Sequence, residues 1–458
     1  MRKHLTRLCA ATLTLVLALG GCVGGGSAPL NPKEPVTLTM WHNFGGTMQD
    51  TMDALIDEFN STVGKEQGII INVTAISSSA ELQKTLSMIA AGDPGAPEMP
   101  DITTSYPKTA ILLQKNGMLA NLDDYFTGED LSGYIPPFVE EGRFEDGLYV
   151  FPIAKSTEIL YLNQTLFDRF AAETGVSMDS LVTFEGLAQT AQKYYDWTDA
   201  QTPEIPGDGK AFFTSDSWLN LAQAGMAQRG GALFENETLN IAGADYAHIW
   251  NTICPPLITG AFANYDGYSS DLSKTGDLVC STGSSAGILF YGDTITYADG
   301  TVEQVEYSIL PYPVFEGGEK LAIQRGNGMV VAKSDEAHEY AGAAFLRWFT
   351  APEQNMRFVS STGYLPVTQD ALEHRMDAEI DQVEDGRIKK MLVAVTEMYQ
   401  NYHFFVAPTF EAFDSMGSAY EKDFKTFMAG QHEQWLSAPD AGSPEDASAA
   451  ALEQWRAR

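Results

Sequence analysis

A short stretch rich in glycine and serine has the residue types for covalent chemistry. Residues 283–287 are Gly-Ser-Ser-Ala-Gly, which fits the G-x-S-x-G pattern of a nucleophile elbow. In that motif the serine, here Ser285, lies between a strand and a helix and attacks a carbonyl carbon with help from a histidine and an acid. The same stretch suits a binding loop, because Ser284 and Ser285 carry hydroxyls and glycines let a ligand approach the backbone. The two interpretations predict a hydrolase or a binding protein.

The residues around this motif favour the binding loop. A strand over 277–280 can precede Ser285, but the apolar and aromatic residues that follow predict another strand, over 286–291, instead of a helix. The later histidines lie in no catalytic motif: His338, His374, His403 and His432. Metalloprotease, P-loop and EF-hand patterns do not occur in the sequence, and the carboxylate pair Asp123-Asp124 lies in a polar run. We expect a binding protein without catalytic residues, metal ligands or a cofactor, with a serine hydrolase as the alternative.

The beginning of the chain is typical of an exported bacterial lipoprotein. Three basic residues precede an apolar run at 8–19, and the sequence Leu-Gly-Gly-Cys ends at Cys22. An ordinary signal peptide or a short membrane anchor is the alternative, although the run is too short to span a bilayer comfortably. The pattern predicts a signal peptide at 1–21, a lipidated Cys22 and a flexible tether at 22–33. The mature protein is then exported and anchored at the cell membrane, facing the periplasm or the cell exterior.

Charge and cysteine content narrow the range of partners. Removal of residues 1–21 changes the formal net charge from -33 to -36, because three basic and no acidic side chains leave. A chain this acidic argues against binding to nucleic acid and against electrostatic adhesion to anionic lipid. Cys254 and Cys280 remain in a compartment that permits disulfides. The sequence leaves open whether they form one disulfide or two separately buried thiols.

The first part of the mature chain alternates strands with amphipathic helices. This alternation predicts a β-α-β-α-β unit with parallel strands and right-handed crossovers. The predicted elements are strands at 36–41, 69–73 and around 102, with helices at 47–60 and 81–91.

The rest of the chain predicts a second α/β unit that the chain enters more than once. Two strands at 148–153 and 158–163 flank the polar segment 154–157, and later strands around 307–311 and 328–331 lead to a helix at 337–350. The 437 residues that remain after cleavage exceed what one core usually organises. We therefore expect two α/β lobes, an N-terminal lobe of residues 34–148 plus about 306–349 and a C-terminal lobe of residues 149–305 plus about 350–458.

These segments also resemble the extracellular solute-binding proteins (family 1) of bacterial carbohydrate ABC importers, nearest the glycerol-phosphate-binding branch. The sequence Tyr-Leu-Pro at 364–366 is the most specific single element of this resemblance. The matching segments are 39–42, 55–60, 90–102, 149–167, 283–287, 326–328 and 361–366. The resemblance implies a periplasmic-binding-protein-like fold whose cleft closes on a ligand by a hinge, and a monomer that delivers its ligand to an ABC permease. A sugar receptor or adhesin without transport is the alternative.

Aromatic faces and hydrogen-bonding groups are what a carbohydrate or polyol ligand requires. Trp41, Tyr106, Trp218 and Tyr364 are candidate walls, and the resemblance places Tyr364 in the cleft. The full set of candidate ligand-binding residues is Ser79, Tyr106, Lys155, Ser156, Thr157, Trp218, Ser284, Ser285, Arg325, Gly326, Asn327, Gly328 and Tyr364.

Two positions depart from the glycerol-phosphate branch. The resemblance puts Thr409 where that branch has a phosphate-binding arginine, and Pro107 where it has an acidic residue beside the tyrosine. A buried phosphate without a cationic partner is costly, so we expect a neutral sugar, oligosaccharide or polyol. Lys155 and Arg325 lie in segments that can face the cleft, which keeps a phosphorylated ligand open as the alternative.

Overall fold

The computed structural model describes residues 30–145, 147–408, 410, 412–437 and 442–458. The predicted signal peptide, Cys22, most of the predicted tether and Thr409 lie outside the described residues. Within the ranges described, the helices are too short or too polar to cross a membrane.

Fifteen strands in the described part of the chain form one nine-stranded sheet and three two-stranded ribbons. They are β1 (Val36–His42), β2 (Ile69–Ala75), β3 (Ile102–Ser105), β4 (Arg143–Phe144), β5 (Gly147–Leu148), β6 (Phe151–Asn163), β7 (Phe213–Ser215), β8 (Phe234–Glu235), β9 (Thr238–Leu239), β10 (Cys280–Ser284), β11 (Thr294–Thr296), β12 (Val302–Gln304), β13 (Tyr307–Leu310), β14 (Leu321–Val331) and β15 (His403–Val406).

Several helices pack against the large sheet. The helices in the described part of the chain are α1 (Thr47–Ser61), α2 (Val63–Gln67), α3 (Ser79–Ala91), α4 (Pro107–Lys115), α5 (Gly128–Leu131), α6 (Pro136–Glu140), α7 (Gln164–Thr174), α8 (Phe184–Asp199), α9 (Trp218–Gln228), α10 (Ala244–Thr259), α11 (Ser269–Ser273), α12 (Glu336–Phe349), α13 (Pro352–Val359), α14 (Met376–Gln382), α15 (Gly386–Asn401), α16 (Phe413–Ser437) and α17 (Pro444–Arg456). Those that pack against the large sheet include α1, α9, α12 and α15. Short 3-10 helices occur at Leu122–Asp124, Met178–Leu181 and Ser285–Phe290, and a π-helical turn at Ala371–Arg375.

The first lobe begins with the predicted β-α-β-α-β unit. β1 pairs in parallel with β2 on one side and with β3 on the other. Side chains alternate along β1, so Leu38 and Met40 are fully buried, in the same core cluster as Leu55 and Phe59 of the apolar face of α1. The parallel unit predicted from the alternating pattern is therefore confirmed.

Two long strands, β6 and β14, carry the sheet from one lobe into the other. They run antiparallel, with Gln324 opposite Thr157 and Met329 opposite Phe151. One end of β14 pairs with β3, and the far end of β6 pairs with β10 and β13. The prediction of two strands flanking 154–157 is wrong, because β14 supplies backbone hydrogen bonds along this polar segment and keeps it extended.

The structure of the second lobe bears on three further predictions, which concern the segment after Ser285, the segment 307–310 and the two cysteines. The apolar residues after Ser285 form a 3-10 helix instead of a strand over 286–291. β13 pairs with β6 at Leu160, which favours assigning 307–310 to the second lobe, and the lobe boundaries stay a proposal. Cys254 and Cys280 are both buried free thiols, so the disulfide is not formed. Burial raises the pKa of each thiol well above its usual value.

A glycine allows the two long strands to approach each other. The ladder shifts register between Asn327 and Gly328, and the preceding Gly326 has a φ of +106°. A Cβ atom on Gly326 would lie 2.7 Å from the Ala154 carbonyl oxygen and 2.8 Å from Lys155 Cα. Any other residue would strain the backbone and collide with β6.

We predict that Gly326→Ala lowers the free energy of unfolding by about 2 kcal/mol or more, because positive φ and the backbone contact both disfavour a Cβ atom. Urea unfolding followed by tryptophan fluorescence measures this. Gly430→Ala is the matched control. Gly430 lies inside α16 with open space around it, so this change should stabilise the protein by about 0.5–1 kcal/mol. Equal stability of Gly326→Ala and the parent would contradict the account of the crossing.

Candidate functional site

A cavity of about 440 Å³ lies beside the crossing of β6 and β14, with walls from both lobes. The first lobe contributes the amino-terminal end of α4 and a residue of α3, and the second lobe contributes α9 and the end of β10. The lining residues are Gln83, Tyr106, Pro107, Lys108, Thr109, Glu141, Ser156, Asn220, Ser284, Ile323, Gln324, Arg325, Gly326, Tyr364, Val406, Ala407, Pro408, Phe410 and Phe413.

The structure brings part of the predicted binding set into this wall. The predicted residues that line the cavity are Tyr106, Ser156, Ser284, Arg325, Gly326 and Tyr364. Ser79 is not among these lining residues, but its hydroxyl donates to the Tyr106 hydroxyl at 3.1 Å. Ser156 and Ser284 lie 3.3 Å apart between their hydroxyl oxygens, so the two strands present a joint polar edge.

Two predicted aromatic walls lie elsewhere. Trp218 is 1% exposed and packs against Phe424 and Phe213, with ring centroids 5.8 and 6.4 Å away. The prediction that Trp218 forms a wall of the cleft is wrong, because the first turn of α9 directs this ring into the core of the second lobe. Trp41 packs instead against the smaller core cluster that contains Leu82 of α3.

Several predicted polar residues belong to the crossing itself. Thr157 is fully buried and donates through Oγ1 to the Ile323 carbonyl oxygen at 3.0 Å. Gly328 pairs with Ser105 of β3, and Asn327 pairs through its backbone with Ala154. Thr157 and Gly328 hold the strands together and are not among the lining residues given above.

Ser285 has the surroundings of a structural residue. It is completely buried at the start of the 3-10 helix, and its hydroxyl oxygen accepts from the Thr157 amide at 3.4 Å. Its carbonyl oxygen accepts from the Tyr161 hydroxyl at 3.3 Å. A serine nucleophile must be open to its substrate, so this arrangement supports a role in the lobe junction.

The Arg325 side chain is held by a carboxylate behind the cavity wall. Arg325 Nη1 donates to Glu158 Oε1 at 3.1 Å, and Asn220 Nδ2 donates to the same oxygen at 2.7 Å. Glu158 is fully buried, whereas the Arg325 side chain is 37% exposed. Burial raises the pKa of Glu158, and the charges of Asp216 and Glu421 add to this effect against the opposing influence of Arg325 and Asn220.

Lys155 is also paired with a carboxylate. Its Nζ lies 2.5 Å from Glu141 Oε2, and both side chains are buried. The Gln324 amide donates to the same Glu141 oxygen. Both basic residues that were expected to offer charge to an anion are therefore already partnered within the protein.

Tyr364 is fixed in the wall by backbone and ring contacts. Leu365 exchanges two backbone hydrogen bonds with Lys155, at 3.2 and 2.6 Å. The Tyr364 ring stacks on Phe358 at 6.2 Å between centroids. Burial raises the pKa of Tyr364 to about 12, so its hydroxyl stays protonated at neutral pH and can donate to a ligand.

Sequence reasoning missed the segment that forms another wall. Phe410 and Phe413 meet edge to face at 5.6 Å, and both rings contact Phe234. A signal was present, since an aromatic and apolar run with Pro408 precedes the long helix α16. The polar lining residues Gln83 and Asn220 gave no such signal, because isolated polar residues in helices form no motif.

Together these features define a class of protein. Two α/β lobes joined by crossing strands hold between them a cavity lined by aromatic rings and hydrogen-bonding groups, as in two-lobed ligand-binding proteins. In the described ranges no group of three or more His, Cys, Asp or Glu side chains is arranged to hold a metal ion.

Residues 54–429 match the family model described as bacterial extracellular solute-binding protein. The chain belongs to this family, which confirms the resemblance found in the sequence.

Solved structures share the fold at low sequence identity. The cyclic α-maltosyl-1,6-maltose binding protein of Arthrobacter globiformis aligns with a TM-score of 0.69 at 19% identity, covering 92% of this chain and 97% of the other. A substrate-binding protein of Listeria monocytogenes in complex with cycloalternan gives 0.66 at 16% identity, covering 92% and 98%. UgpB of Mycobacterium tuberculosis with glycerophosphocholine gives 0.61 at 17%, covering 92% and 98%. They confirm the two-lobed fold. A comparison with curated proteins gives no match.

We predict an unusual pH dependence of stability from Glu158. A carboxyl with a raised pKa in the folded protein binds its proton more tightly there than in the unfolded chain. Relative to Glu158→Gln, the parent should therefore lose stability as pH rises from about 4.5 through the raised pKa of Glu158, by up to about 1.4 kcal/mol per pH unit. Urea unfolding of both proteins at several pH values measures the difference.

Glu303→Gln is a control with the opposite sign. A hydrogen bond from Tyr297 lowers the pKa of Glu303 in the folded protein. Its stabilising contribution is present above about 4.5 and is lost as pH falls through the lowered pKa. If the difference between the parent and Glu158→Gln does not change with pH, the assigned environment of Glu158 is wrong.

Proposed function

We propose that this protein is the substrate-binding component of a bacterial ABC importer and that it binds a neutral sugar, oligosaccharide or polyol. The pairing of Arg325, which lies in the cavity wall, and of Lys155, which neighbours the lining residue Ser156, carries the proposal. Arg325 contacts Glu158, and Lys155 contacts Glu141, so each positive charge already has a negative partner. An anionic ligand would add negative charge beside two buried carboxylates, whereas a neutral hydroxyl group adds none.

The aromatic and polar composition of the cavity supports a carbohydrate. Tyr106, Tyr364 and Phe410 offer ring faces or edges to the apolar C-H patches of a sugar. Amide and hydroxyl groups at Asn220 and Ser284 suit its hydroxyl groups. The volume of about 440 Å³ falls in the range of small-molecule sites.

The solved relatives add support of a general kind. The Arthrobacter and Listeria proteins bind oligosaccharides, and UgpB is described with glycerophosphocholine. Both ligand types are therefore compatible with the fold, and the charge pairing in this chain favours the neutral type.

Ligand capture would proceed by closure of the cleft. Tyr106 belongs to the first lobe, and Asn220 and Ser284 to the second, so a ligand that contacts all three stabilises the form in which the lobes are close. The closed, loaded protein is the form that a permease would recognise. The monomeric state and the exported location belong to the same proposal.

We predict that titration calorimetry with the mature protein detects binding of a neutral probe such as maltose or mannobiose at an affinity that does not depend on salt. Glycerol 3-phosphate and glycerophosphocholine should bind at least about tenfold more weakly. X-ray scattering should show a smaller radius of gyration with the bound probe. Tight and salt-sensitive binding of a phosphorylated compound, lost in Lys155→Ala or Arg325→Ala, would contradict a neutral ligand.

A tyrosine pair serves as the matched control for the location of binding. Tyr364→Ala removes a ring from the cavity wall and should weaken binding of the neutral probe by about 2 kcal/mol, or roughly thirtyfold. Tyr399→Ala removes a half-buried ring on α15 that stacks with Phe404 outside the lining residues, and it should leave binding unchanged. Equal losses in the two variants would place the ligand elsewhere.

The lipid anchor has its own test. Cys22→Ser should move the protein from the membrane fraction to the soluble fraction, because the lipidated thiol is lost. Cell fractionation with immunodetection measures this, and Cys9→Ser in the predicted signal peptide is the control. Continued membrane association of Cys22→Ser would indicate a different anchor.

A further inference from the structure

The Arg325 guanidinium lies where it would interact with any charged group of a ligand in the cavity. Arg325 is on β14 opposite Ser156 of β6, in the middle of the crossing, and its side chain lines the cavity with 37% exposure. A guanidinium carries five N-H donors in a planar fork that suits phosphate and carboxylate groups. An arginine in this position without a partner would favour anionic ligands.

The partner of Arg325 is an unusual residue for its position. Glu158 is completely buried, and Arg325 and Asn220 both donate to its Oε1 atom. The other carboxylate oxygen, Oε2, is buried and has no hydrogen-bond partner among the residues that the structure describes. A buried carboxylate in this condition is expensive, and a pair of this kind adds little net stability. Its clear effect is to cancel the charge of Arg325 at the cavity wall.

Two further carboxylates lie near Glu158. Asp216 and Glu421 lie close enough to disfavour the negative charge of Glu158, and Lys425 pairs with Glu421 at 3.3 Å. The Asp216 carboxylate accepts from the Ser269 amide, and Glu421 accepts from the first amides of α9. A phosphate or carboxylate group of a ligand beside Arg325 would also be repelled by these two carboxylates.

We propose that Glu158 is the specificity-determining residue of the cavity: its carboxylate holds Arg325 and so restricts the site to ligands without a negative charge. The inference rests on the proposed function and names the residue that sets the charge class of the ligand. Arg325 keeps its remaining N-H groups for neutral hydroxyl oxygens, and Asn220 is held in the wall by the same carboxylate.

The variant Glu158→Gln isolates this charge. Glutamine has nearly the same size, its carbonyl oxygen can accept from Arg325 and Asn220, and its amide can donate to a neighbouring acceptor. Arg325 would then face the cavity with an uncompensated positive charge. A charge-assisted hydrogen bond to an anion is worth about tenfold or more in affinity.

Titration calorimetry of the mature protein tests the proposal with maltose as the neutral probe and with maltose 1-phosphate and glycerol 3-phosphate as anionic probes. Glu158→Gln should bind at least one anionic probe about tenfold or more tightly than the parent does, and the gain should decrease with salt. The double variant Glu158→Gln/Arg325→Gln should lose the gain. Glu58→Gln, which breaks the surface pair with Arg357, is the control and should show no gain. Parent-like anion affinity in a folded Glu158→Gln protein would overturn the proposal.

A measurement on the parent protein keeps the proposal testable if that variant does not fold. Glucose 6-sulfate keeps its charge at all pH values used, so its affinity reports the charge of the protein. This affinity should fall by about tenfold or more as pH rises through the raised pKa of Glu158, because the ionised carboxylate then cancels the charge of Arg325, and Arg325→Gln should abolish most of the fall. Equal pH profiles in the parent and in Arg325→Gln would overturn the proposal.

The two levels of inference fail in different ways. If the parent binds none of the neutral probes but Glu158→Gln still gains affinity for an anion, the proposed neutral ligand is wrong and the role of Glu158 stands. If the parent binds a neutral probe and Glu158→Gln gains nothing, the cavity binds a neutral ligand for reasons other than Glu158.

Discussion

The antiparallel pairing of β6 with β14 is the interaction on which the rest of the structure depends. Its backbone hydrogen bonds join two lobes into one sheet, because β14 continues to β3 on one side and β6 continues to β10 on the other. The same strands place Ser156 and Arg325 at the cavity. A single ladder therefore connects the lobes and also contributes residues to the cavity wall.

Local sequence patterns were sufficient to predict those helices and strands whose packing or pairing partners are nearby in the sequence. The parallel unit of β1, β2 and β3 and the helix α12 follow directly from alternating and helical periodicity. The polar segment at 154–157 was misread as a break, because its extended form depends on hydrogen bonds from the distant β14. The apolar run after Ser285 was misread as a strand, since nothing in the sequence indicates that it lacks a pairing partner.

The cavity wall was predictable where a residue of a type that suits a ligand also lies in the wall, as for Tyr106, Tyr364 and Arg325. It was not predictable where the same residue type serves two roles. Trp218 has the chemistry of a sugar platform but lies in the core, and Phe410 has the chemistry of the core but lies in the cavity wall. The pairing of each basic residue with a carboxylate is a property of side-chain geometry that spacing along the chain does not encode.

The electrostatic effect of the buried carboxylates on a ligand depends on closure of the cleft. When two lobes close over a ligand, water leaves the cavity and every electrostatic interaction within it becomes stronger. A cavity wall whose charges are already paired loses little when it is closed over a neutral molecule, because no ion is left without a partner. Closure over an anion would bring its charge toward Glu141 and Glu158, which are already buried beside their own cations. Under the proposed function, the strands that connect the lobes would thus also make the energy of closing depend on the charge of the ligand between them.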